Sequence, residues 1–189
     1  MTATKDVKET ISNWLRSEEY PDAFSRFFTL WTLLNLYYNQ SSQKDHELDR
    51  VLDFGRQNEK LFPFLKELTA RMIVTECVGN GKEIQPPNSF VKTATLHLRG
   101  VLGIDTKPIC ENCRQAKRQH CEKIACETYV YGNMEAVARI LYQIRCNLFH
   151  GDKTEYLDGF QAQRNRFLVK IGSEIVKQIL SSISSDSLP

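Results

Sequence analysis

Apolar residues recur three and four apart along nearly the whole chain, and this spacing limits the fold more than any other feature of the sequence. A 3.6-residue period places such residues on one stripe of a helix, which must then be buried against other helices. Residues Asp6 to Arg16 carry Val7, Ile11, Trp14 and Leu15 in this register. Pro21-Asp22 breaks the pattern, and Asp22 is placed to cap a second helix over about 23–40. Phe24, Phe27, Phe28, Trp31, Leu34, Leu36, Tyr37 and Tyr38 make that helix apolar around much of its circumference, so it is expected at the buried centre of a bundle. After a loop at Gln40-Ser41-Ser42-Gln43, Asp45 to Gly55 reads as a short helix ending at the glycine. A further helix over about 58–77 carries Leu61, Phe64, Leu65, Leu68, Met72 and Ile73, with Pro63 dividing it or setting its first turn.

Two strong helix signals close the chain. Asn133 can cap a helix from Met134 to about Phe149, whose stripe is Val137, Ile140, Leu141, Ile144 and Leu148, with Gly151 ending it. Asp152 or Thr154 then starts a helix over about 155–183, with Phe160, Phe167, Leu168, Ile171, Ile175, Ile179 and Ile183. Between the halves, Gly79-Asn80-Gly81 and Pro86-Pro87-Asn88 mark a long connection. Ser89 to Leu102 alternates like a strand at Thr93–Leu98, although its helical neighbours favour a short helix. Only 9 Gly and 6 Pro are present, few for a multi-stranded sandwich. The expected architecture is an all-α, antiparallel helical bundle formed by one domain, 1–189, with a cysteine-rich insertion at 105–131.

A net charge of +2 excludes a highly basic nucleic-acid coat and an acidic disordered chain, but leaves room for a local basic site. The longest apolar stretch, Phe24 to Tyr38, is interrupted by Ser25, Arg26 and Asn35, so no membrane span is expected. MTATKDVKET lacks the apolar core of a signal peptide, and a cytoplasmic chain is expected.

Of the six cysteines, Cys77 and Cys146 stand alone, and both read as small buried apolar residues rather than nucleophiles. The others fall within seventeen residues as Cys110-x2-Cys113-x7-Cys121-x4-Cys126. Zinc takes four tetrahedral nitrogen or sulfur ligands, and a two-residue gap lets two thiolates of one turn grip the same ion. This predicts a structural zinc site, with His120 able to replace one thiolate; two disulfides or free thiols on a loop are the alternative. Four protein ligands leave no open position for water, so no catalytic metal is expected. Lys107, Arg114, Lys117, Arg118 and Lys123 surround the cluster, but Glu111, Glu122 and the charge of the thiolates offset most of their charge.

The segment with the clearest chemical content is Ile144-Arg145-Cys146-Asn147-Leu148-Phe149-His150-Gly151. At about 100° per residue, Asn147 and His150 share a face, while Arg145 lies about 140° from His150. Taken alone, such residues also serve as structural hydrogen-bonding groups at a helix end. In an all-α chain, however, Arg145-x4-His150 near a helix end, followed by Gly151 and another long amphipathic helix, resembles the HEPN superfamily, whose signature is Arg-x4–6-His on a four-helix core. The form Ile-Arg-Cys-Asn-Leu-Phe-His-Gly-Asp-Lys is similar to its Apea-like and related prokaryotic branches. Two features depart from the pattern. Cys146 follows Arg145 where many members carry a polar residue, and the Cys110–Cys126 insertion is not part of the common core.

The resemblance implies a metal-independent endoribonuclease, acting as a homodimer whose two motifs meet in one cleft. His150 and its copy would then supply the base and the acid, Arg145 would stabilise the phosphorane, and Asn147 would orient His150 or the phosphate. The products would end in a 2′,3′-cyclic phosphate and a 5′-hydroxyl. The family setting implies a toxin or antiviral defence role, with RNA as substrate and an antitoxin or other defence protein as a possible partner. A non-catalytic HEPN module for dimerisation or for nucleotide or RNA binding is the alternative, and a zinc-stabilised adaptor is a third reading.

Overall fold

The computed structural model describes residues 5–17, 19–79, 82–83, 94, 98, 132–149 and 160–185. These are predominantly helical: α1 (Lys5–Arg16), α2 (Ala23–Ser41), α3 (Glu47–Gln57), a 3-10 turn (Glu59–Leu61), α4 (Phe62–Cys77), α5 (Met134–Phe149) and α6 (Phe160–Ser184). A two-residue antiparallel ladder pairs Val78 with Glu83 and Gly79 with Lys82. Ala94 and Leu98, four apart, are helical and buried, in keeping with the helical reading of that stretch. The cysteine-rich segment 105–131, His150 and the start expected for the last helix lie outside the described residues.

Several helix ends are set by local chemistry. The Asp22 carboxylate accepts from Ser25 N at 2.8 Å and from Ser25 Oγ at 2.6 Å, capping α2. Those two bonds stabilise the ionised form and hold its pKa below the usual carboxylate value. Pro63 occupies the first turn of α4, where its missing N–H removes no helical bond. Asn133 Oδ1 accepts from Ala136 N at 2.8 Å, and Glu59 Oε2 accepts from Met134 N at 3.0 Å, so two residues satisfy the start of α5. Gly132 precedes this cap with φ 70°, a left-handed conformation that costs glycine little.

The core is shared between α2 and α6. Helix α6 packs on α1, α2, α4 and α5. It buries Val169, Val176 and Leu180 in addition to Ile171, Ile175, Ile179 and Ile183, a face wider than one stripe. Helix α2 contributes Phe27, Leu30, Trp31, Leu34 and Tyr38, while Leu36 is exposed. The central position expected for α2 is shared with α6. Across their contact, Arg26 Nη1 meets Glu174 Oε1 at 2.5 Å.

Helix α3 runs on to Gln57, so Gly55 lies within it rather than ending it. A Cβ there would come within 2.8 Å of Glu135 Cα, which makes Gly55 the point of close approach between α3 and α5. Beside it, Arg56 forks onto Glu135 with Nε–Oε2 2.9 Å and Nη2–Oε1 3.1 Å. This contact brings the N-terminal part of the chain against the helix that carries Arg145.

Candidate functional site

Arg145 projects from the last turns of α5 toward α2 and α3. Its position follows from the aromatic packing beneath it. Trp31 stacks on Phe27 at 6.3 Å between centroids and meets Tyr38 at 6.1 Å and Tyr142 at 6.4 Å. Tyr142 lies one turn before Arg145, and the guanidinium carbon sits 5.9 Å from its ring centroid, within cation–π range. Burial raises the Tyr142 pKa first, with the Cys146 side chain adding to the shift, so the phenol stays protonated.

Glu47, in the first turn of α3, holds one end of the guanidinium. Arg145 Nη2 lies 3.3 Å from Glu47 Oε2, and both side chains are about three-quarters buried. The other oxygen, Oε1, accepts from Tyr38 Oη at 3.0 Å and from Asn35 Nδ2 at 3.3 Å. Asn35 Oδ1 in turn accepts from Asn39 Nδ2. Three helices thus converge on one carboxylate, which is held by donors from α2 on Oε1 and by Arg145 on Oε2. Tyr38 is fully buried, and burial, then the Glu47 charge, raises its pKa, which keeps its hydroxyl a donor. Arg50 Nη1 donates to Lys44 O at 2.9 Å and Asp45 O at 3.0 Å, holding the chain that leads into α3.

Asn147 points elsewhere. Two residues along an α-helix amount to about 200°, and Asn147 accepts at Oδ1 from Gln143 Nε2 at 3.1 Å, away from Glu47. Gln143 and Asn147 line a cavity of about 50 Å³, partly open to solvent, between α5 and α6. Ala94, Leu98, Ile144 and Leu168 supply apolar walls, and Arg164 of α6 adds a cationic side chain. Arg145 and Asn147 therefore serve opposite faces of α5.

His150 and the zinc candidates Cys110, Cys113, Cys121 and Cys126, with His120, lie outside the described residues. Among the described residues no three His, Cys, Asp or Glu side chains cluster as metal ligands. No described helix is long and apolar enough to cross a membrane. Cys146 departs from the reading as a buried apolar residue: it is half-buried, and its Sγ lies 3.9 Å from Arg145 Nη1. Sequence reasoning missed Glu47, Tyr38 and Asn35, since no spacing links α2 and α3 to a residue on α5. Tyr142 was within reach, because three residues before Arg145 is the same helical face. No protein-family model, curated protein or solved structure matches this chain.

Proposed function

We propose that the chain is a metal-independent endoribonuclease of HEPN type, with Arg145, Asn147 and His150 as its site residues and a homodimer as its working form. The observation that supports this reading is the setting of Arg145. A guanidinium held by Glu47 and carried over the Tyr142 ring loses less freedom when it meets a phosphate. In the proposed reaction a base removes the 2′-hydroxyl proton, O2′ attacks phosphorus, and an acid protonates the departing 5′-oxygen. The products carry a 2′,3′-cyclic phosphate and a 5′-hydroxyl, so protons and bonds balance without water or metal. One histidine near neutral pKa serves one proton transfer, and the partner chain's copy of this histidine serves the other. Arg145 stabilises the charge on the phosphorane. The structural zinc at Cys110, Cys113, Cys121 and Cys126 belongs to the same proposal, as do RNA as substrate and a role in toxicity or antiviral defence with an antitoxin-like partner.

The test is cleavage of a mixed RNA in EDTA by the full chain, with Arg145→Ala and His150→Ala as controls. Both variants should lose activity while chelation leaves the wild type active. Retained cleavage in both variants, or strict need for a divalent ion, overturns the mechanism. So does full activity of a wild-type monomer.

A second reading, a non-catalytic HEPN module, draws on a different observation. The Arg145–Glu47 pair ties α3 to α5, a role in holding the fold, and Asn147 faces away from Arg145. Salt-dependent RNA binding without cleavage would favour it.

A further inference from the structure

The cavity between α5 and α6 has a chemical character of its own. Its walls are aliphatic, and its polar side chains are two neutral amides and one guanidinium. The Gln143–Asn147 bond uses Gln143 Nε2 and Asn147 Oδ1, which leaves Gln143 Oε1 as acceptor and Asn147 Nδ2 as donor with no partner among the described residues. A bare anion would satisfy Arg164 and the Asn147 N–H but not the Gln143 carbonyl, and a hydrocarbon would desolvate both amides without replacing their bonds with water. A flat heterocycle with a donor beside an acceptor satisfies both, and its ring lies against the aliphatic walls. The Watson–Crick edge of a nucleobase has that pattern, and Asn and Gln side chains read base edges in this way. A volume of about 50 Å³ with an open side admits the edge of a ring and leaves the sugar and phosphate outside.

We infer that this cleft is a nucleobase subsite, read by Gln143 and Asn147. Its assignment to a base of an RNA substrate rests on the ribonuclease reading; its capacity to bind a base does not. Asn147 lies about 200° around α5 from Arg145, so a base held here sits on the face of the helix opposite the Arg145–Glu47 pair.

The experiment is a titration of the full wild-type chain with each of the four nucleoside 5′-monophosphates, and with ribose 5-phosphate, following the side-chain amide NMR signals of Gln143 and Asn147. At least one nucleotide should shift both signals saturably, and ribose 5-phosphate should shift neither. Gln143→Met and Asn147→Asp, both at half-buried positions, should each weaken that binding about tenfold. Silence of both amides with all four nucleotides overturns the subsite, as does an equal response to ribose 5-phosphate. Cleavage data separate the two proposals. Nucleotide binding in the cleft by a chain that never cuts RNA keeps the subsite and removes the ribonuclease. Cleavage that needs Arg145 and His150, with the cleft silent, does the reverse.

Discussion

Removing the Glu47 carboxylate leaves a buried Tyr38 hydroxyl without its acceptor and takes an ion-pair partner from a largely buried Arg145. Glu47→Ala should therefore destabilise the chain by about 2–4 kcal/mol, since an abandoned buried partner costs more than a lost bond. Tyr38→Phe removes one donor while Asn35 still reaches Oε1, and should cost about 1 kcal/mol. Urea unfolding of the two variants checks the order; equal losses would mean that Glu47 contributes little beyond the tyrosine bond. At Asp22 the prediction is a pH dependence. The folded carboxylate has a lowered pKa, so its contribution is complete above the unfolded value near 3.8 and fades as pH falls through the lower folded value. Asp22→Asn keeps a capping oxygen but does not titrate, so the stability gap between wild type and variant should change only in that acid range. Arg145 was legible as a residue of interest because its spacing to His150 is local. Glu47 was not, because the pairing arises only where α3 meets α5.

Between elements, glycine decides how closely α3 approaches α5. Gly55→Ala would place Cβ against the Glu135 backbone at 2.8 Å, and backbone cannot step aside as a side chain can. At Gly172 the nearest atom is Phe27 Cε2 at 2.9 Å, part of a ring that can shift. Gly55→Ala should thus cost about 1–3 kcal/mol and exceed Gly172→Ala, with thermal unfolding as the measure. A Gly55→Ala chain as stable as wild type would mean that the two helices can separate without loss. The helices themselves were readable, with Asp22 and Asn133 both capping as their positions suggested. Gly55 was misread because a glycine after an apolar run signals a helix end and a close helix contact equally well.

For the whole molecule, the metal prediction is independent of the bundle. If Cys110, Cys113, Cys121 and Cys126 close a zinc site, the purified protein should hold about one zinc per chain, and Cys113→Ser should lose it while helical circular dichroism persists. Full zinc in that variant would remove the assignment. The sequence by itself determined the all-α class, most helix limits and the chemically distinctive run from Arg145 to His150, because helical periodicity, capping and short motifs depend on neighbours in the chain. Tertiary structure decided what no neighbour could: that α6 shares the centre with α2, that Glu47 and Tyr38 hold Arg145, and that Asn147 opens onto a separate cleft with Gln143. Each of these comes from residues distant in sequence meeting across packed helices. A helix face specifies that it must be buried but not which helix will cover it, and only the simultaneous packing of the helices settles the match.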